Sequence, residues 1–113
     1  MTLRSEAMDT LFKTILNLES LDECYAYFED LCTVKELQDM TQRLETAILL
    51  SQGASYQEIM QKVSISTATI GRVSKCLNYG PGGYRTAIAN NDFQTLRGLL
   101  QEGKEIKEEV DGV

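Results

Sequence analysis

The chain has 113 residues, enough for one domain and too few for two independent cores. Hydrophobic residues make up 42% and charged ones 25%, a folded soluble domain's balance that excludes a disordered or low-complexity protein. The formal net charge is −6, and there is no histidine, so Ser-His-Asp catalysis and zinc sites of the usual Cys/His kind are excluded.

The longest apolar run, Ala47-Ile-Leu-Leu50, falls far short of the ~20 residues of a membrane span. Met1-Thr-Leu-Arg-Ser-Glu6 lacks the basic flank and apolar core of a signal peptide, so a cytoplasmic protein is expected. Cys24, Cys32 and Cys76 form no CxxC pair and read as buried thiols on helix faces in a reducing compartment. Charge is unevenly spread: residues 1–33 carry −5, residues 34–88 carry +2 and residues 89–113 carry −3. An anion-binding surface therefore belongs to the middle segment.

Helical spacing dominates, and sustained strand alternation is absent. Leu3, Met8, Leu11, Phe12, Ile15 and Leu16 place one apolar stripe on a helix over about residues 3–17. A second stripe, Leu21, Cys24, Tyr25, Phe28, Leu31 and Cys32, follows the capping box Ser20-Leu-Asp-Glu23. Thr33-Val-Lys-Glu36 is another such box and opens the longest helix, with Leu37, Met40, Leu44, Ala47 and Ile48 on one face. Gly53 supplies its left-handed stop. A third box, Ser55-Tyr-Gln-Glu58, starts a helix of about two turns; Ser64-Ile-Ser66 breaks it, and another helix runs from Thr67 to about Leu77. Tyr79-Gly-Pro-Gly-Gly83 is a turn, lacking the lysine and strand context of a nucleotide loop. Short helices are expected at 84–90 and at 92–102, the latter capped by Asp92. The single all-α domain thus covers 1–102, with a frayed acidic tail at 103–113.

The short helices, at about 56–77, have helix-turn-helix spacing. Ile59, Val63, Ile65, Ile70 and Val73 fall where two crossed helices need aliphatic locks. The second helix then presents Ser66, Thr67, Thr69, Arg72 and Lys75, with small Ala68 and Gly71 between them, a face able to enter a major groove. Thr67, Ala68 and Thr69 are assigned to base or near-base contact, and Arg72 and Lys75 to phosphate. Ser66 starts the reading helix, and Ser55 and Gln57 are backbone contacts from the supporting one. The five tyrosines read as core or interface edges rather than base-stacking platforms, with Tyr56, beside the first short helix, a candidate phosphate contact.

From about Asp30 to Pro81 the chain resembles the Trp repressor superfamily, and its TrpR-like YerC/YecD branch more closely. The resemblance rests on Leu31-Cys-Thr33, Arg43-Leu-Glu-Thr-Ala-Ile-Leu-Leu50, Gly53-Ala-Ser-Tyr-Gln-Glu-Ile59, Ser66 to Lys75, and Leu77-Asn-Tyr-Gly-Pro-Gly-Gly-Tyr84. It implies an intertwined homodimer with two helix-turn-helix units on one side, reading palindromic double-stranded DNA. Broad apolar faces on the first two helices independently call for a partner chain. The resemblance also implies a corepressor pocket bordered by Thr33, Arg43 and Arg72. Val73 stands where the family has glycine and projects where an indole would lie, which argues against L-tryptophan as that small molecule. Arg43 has an alternative role, pairing with Glu36 or Asp39 on its own helix.

The sequence therefore reads as a homodimeric, sequence-specific transcriptional regulator acting as a repressor, and not as an enzyme. The alternative is an acidic helical protein-interaction module that does not bind DNA.

Overall fold

A computed structural model describes residues 3–92 of the chain, and among these there are six α-helices and no strand. They are α1 (Glu6–Leu16), α2 (Leu21–Leu31), α3 (Val34–Ser51), α4 (Tyr56–Lys62), α5 (Thr67–Tyr79) and α6 (Gly83–Ala89). The chain divides into two compact units, Met1–Met40 and Thr41–Val113, so that the boundary falls within α3. The helix expected at 92–102 and the tail at 103–113 lie outside the described residues.

In the N-terminal unit, α1 begins three residues later than its apolar stripe suggests. Ser5 is the reason: its hydroxyl accepts the Met8 N–H at 3.0 Å and fixes the start at Glu6. Ser20 caps α2 through the Glu23 N–H at 3.1 Å, but the Glu23 carboxylate takes the N–H of Glu19 at 2.7 Å. The expected reciprocal box is thus displaced by one residue. Thr33 and Glu36 do pair reciprocally, at 2.9 and 3.1 Å. Thr14 Oγ1 and Tyr27 Oη, 2.6 Å apart, tie α1 to α2. Neither helix contains a buried residue; Leu16 is 81% exposed and Leu21 72%.

In the C-terminal unit, the second half of α3 carries the buried Thr46, Ala47, Ile48 and Leu49. The Thr46 hydroxyl is satisfied by donating to the Gln42 carbonyl at 2.7 Å. Met40 and Leu44, expected on the same covered stripe, remain exposed, so the stripe is buried only towards its C-terminal end. Gly53, at φ +85°, closes α3. Its N–H bonds the Leu50 carbonyl at 3.0 Å, and the Ala54 N–H bonds the Leu49 carbonyl at 3.0 Å, the two bonds of a Schellman ending.

The core of this unit is Leu49, Ile59, Val63 and Ile70, with Leu50, Ala54 and Ile65 packed against it. Val73 is buried as well. All five aliphatic locks of the helix pair therefore lie in the interior or against it. Cys24 and Cys32 are half-buried, whereas Cys76, expected inside, is exposed on α5.

The recognition-type helix runs two residues past Leu77, to Tyr79. It stops at Gly80, where a Cβ would stand 2.4 Å from the Cys76 carbonyl oxygen. Gly82, at φ +97°, then turns the chain into α6. From α6, Arg85 Nε donates to the Leu77 carbonyl at 2.8 Å and Nη2 to Asn78 Oδ1 at 3.5 Å. A cation thus closes the free carbonyl end of α5.

Candidate nucleic-acid interface

The site begins with the cap of α5. Ser66 is extended, and its hydroxyl accepts the Thr69 N–H at 3.2 Å. The same hydroxyl lies 2.9 Å from Thr69 Oγ1, so the two side chains also bond each other. Both residues, expected to face DNA, also build the helix start, and Thr69 is half-buried. Thr67, Ala68, Arg72 and Lys75 are exposed on α5. No acidic residue occurs along α5, and neither Arg72 nor Lys75 makes an ion pair among the described residues. Their charge is accordingly available to an anion in solution.

The supporting helix is held the same way. Ser55 accepts the Glu58 N–H at 3.2 Å, while its own N–H donates to the Glu58 carboxylate at 3.4 Å. Ser55 is exposed but committed to this reciprocal box; Gln57, the second residue of α4, is exposed. α4 and α5 pack on one another through the buried Ile59, Val63 and Ile70.

Thr33, Arg43 and Arg72 occupy different settings. Thr33 is the α3 cap, in the N-terminal unit. Its backbone N–H, and then its hydroxyl, hold the Glu36 carboxyl below its ordinary value of 4.5. Arg43 and Arg72 are exposed, on α3 and α5 of the C-terminal unit. The expected pairing of Arg43 with Glu36 or Asp39 does not form. Instead the Thr33 N–H donates to the Glu36 carboxylate, and Lys35, one turn before it, pairs with Asp39 at 3.3 Å.

Open clefts among the described residues of the C-terminal unit include two of note. One, of about 520 Å³, lies between Gln42 and Glu45 of α3 and Met60 and Ser64. The other, of about 330 Å³, lies between Leu50, Leu77, Arg85 and Ile88. Thr33, Arg43 and Arg72 line neither cleft. No cluster of metal-ligating side chains occurs among the described residues.

Sequence reasoning missed two contributors to the site. Ser66 as a cap carries no glutamate three residues on, so the box signature is silent although its hydroxyl still accepts the Thr69 N–H. Arg85 acts across eight residues on the end of α5, a contact that only the Gly80-Pro-Gly-Gly83 turn brings about.

A buried-locked helix pair, presenting an acid-free helix with exposed threonine, alanine, arginine and lysine, defines an all-α helix-turn-helix protein. The chain belongs to the Trp repressor protein family, which it matches over residues 6–92. It is 49% identical over 86 residues to the uncharacterized protein YerC of Bacillus subtilis (strain 168), covering 76% of this chain and 83% of that one. A crystal structure of a candidate Trp repressor from Staphylococcus aureus is similar at a TM-score of 0.75 and 45% identity, covering 78% of this chain and 88% of the other. The structure of a TrpR-like protein from Eubacterium eligens ATCC 27750 has a TM-score of 0.74 and 42% identity, covering 83% and 92% respectively. Membership of this family points to a DNA-binding regulator rather than an enzyme. None of the described helices is long and apolar enough to cross a membrane.

Proposed function

We propose that the protein is a cytoplasmic, sequence-specific transcriptional repressor that binds a palindromic operator as a homodimer. The observation that carries this reading is the exposed face of α5. Thr67 and Ala68 are small enough for close approach to base edges, and the unpaired Arg72 and Lys75 neutralise phosphates. Thr69 and Ser66 act at the start of that helix, fixing its first turn against the groove. Ser55 and Gln57 contribute backbone contacts from α4. Homodimerisation is supported by the uncovered apolar faces of α1 and α2. The reading needs no corepressor; Thr33, Arg43 and Arg72 are the residues to probe for one, and the buried Val73 disfavours L-tryptophan.

The test is selection of bound duplexes from fragmented genomic DNA, followed by titration of a selected site at several salt concentrations. Lys75→Ala should weaken binding to every sequence and reduce the salt slope by roughly 0.9 for each lysine removed from a phosphate. An unchanged slope refutes the phosphate role of Lys75. Failure of the wild-type chain to retain any duplex at low salt leaves the acidic protein-interaction module as the better reading.

A further inference from the structure

Tyr56 is the first residue of α4, directly after the Ser55 cap. Its side chain crosses to α5, where the phenolic oxygen lies 4.0 Å from the point that a Cβ on Gly71 would occupy. Helix geometry sets position 71 beside 67, 68 and 75, the three- and four-residue neighbours. The phenol therefore ends beside Gly71, the helical neighbour of the exposed Thr67, Ala68 and Lys75. A side chain longer than a methyl group at 71 would compete for that space.

The hydroxyl makes no hydrogen bond among the described residues, and Tyr56 is 41% exposed. It is thus a donor held on a rigid ring with nothing among the described residues to receive it. A phosphate oxygen can only accept, and a phenolic O–H can donate. In helix-turn-helix docking the supporting helix crosses the nucleic-acid backbone while the second helix enters the groove. Tyr56 belongs to the supporting helix, which favours a phosphate over a base as the receiving group.

We propose that the Tyr56 hydroxyl donates a hydrogen bond to a DNA backbone phosphate, reaching it across α5 at Gly71. This rests on the DNA-binding reading above. The contact is neutral on the protein side, so it contributes affinity and register without releasing a counterion. That separates it from the contacts of Arg72 and Lys75.

The experiment compares the full wild-type chain with Tyr56→Phe, which keeps the ring over Gly71 and removes only the donor. Binding is titrated against a duplex selected by the wild type and against an unrelated duplex, over a range of salt, with thermal unfolding measured in parallel. The expected result is about tenfold weaker binding to both duplexes, with the salt slope and the unfolding midpoint unchanged. Equal affinity of the two proteins overturns the proposal while leaving the DNA-binding reading intact. A loss confined to the selected duplex overturns it in favour of a base contact. Parallel loss of affinity and thermal stability overturns it in favour of a structural role. If the wild type selects no duplex, this proposal and the reading beneath it fall together.

Discussion

The same substitution at three glycines is expected to have three different outcomes, because each glycine answers to a different constraint. At Gly80 a Cβ would stand 2.4 Å from the Cys76 carbonyl oxygen and 3.2 Å from its carbon, backbone atoms that cannot swing aside. Gly80→Ala must therefore shift the end of α5 or the start of the following turn, at a cost of about 1–3 kcal/mol. At Gly82 the space is open, but φ is +97°, a conformation that costs a side-chain-bearing residue about 1–2 kcal/mol. At Gly71, inside α5, a methyl group meets only Tyr56 Oη, at an ordinary 4.0 Å. Gly71→Ala should then stabilise the fold by about 0.8 kcal/mol through helix propensity. Urea midpoints at constant slope check all three; a Gly80→Ala variant as stable as the parent contradicts the steric account. The amino-acid string identifies residues 79–83 as a turn, but not which glycine is required for space and which for its dihedral angle. That distinction needs the path of the backbone.

At the scale of elements, helix starts are the most legible feature of this chain, and capping chemistry explains both the hits and the misses. Thr33 with Glu36, and Ser55 with Glu58, close as reciprocal boxes because side chain and amide lie within one turn of each other. Ser5 and Ser66 cap equally well, at 3.0 and 3.2 Å, but lack the partner acid that makes a cap visible in a sequence. The exposed face of α5 was legible as a set of residues, since Thr67, Ala68, Arg72 and Lys75 follow from the periodicity of the buried Ile70 and Val73. The mutual bond of Ser66 and Thr69 was not, because it depends on rotamers. One box is open to titration. Thr33 holds the Glu36 carboxyl below 4.5, so the folded state favours the carboxylate more than the unfolded chain does. The resulting stabilisation is complete above that value and is lost as pH falls through the lowered pKa. Glu36→Gln keeps an acceptor for the Thr33 N–H without the charge. The parent should be the more stable of the two at pH 7, and the gap should close as the pH drops below 4.5, as followed by urea unfolding at successive pH values. A gap that stays constant across that range contradicts the assignment.

For the whole molecule, the uneven charge and the uneven burial point to one arrangement. Residues 1–33 carry −5, whereas residues 34–88 carry +2 and contain α4 and α5. The acidic segment is also the one whose helices bury nothing, although Phe12, Leu16, Leu21 and Tyr25 lie along them. A monomer therefore exposes a run of large apolar side chains on its most acidic segment, and a second copy of the chain is the cover that the family resemblance implies. The two accounts differ in what a surface substitution does. If the chain works as a monomer, Leu16→Asp and Leu21→Asp replace groups already in water and should change stability by less than about 0.5 kcal/mol. If two chains bury these leucines, each contributes roughly 1.5–3 kcal/mol, and each substitution enters twice in a symmetric dimer. One substitution then weakens association by roughly 3–6 kcal/mol, about 10²–10⁴-fold. Sedimentation equilibrium of the wild-type chain should give twice the 12.7 kDa mass, with Leu16→Asp shifting it towards a single chain at the same concentration. Binding to a palindromic duplex should fall in step, because a lone α5 engages one half-site and loses the second set of phosphate contacts. A wild-type mass of one chain at every concentration would remove the dimer, and with it the spacing that lets two copies of α5 read one operator.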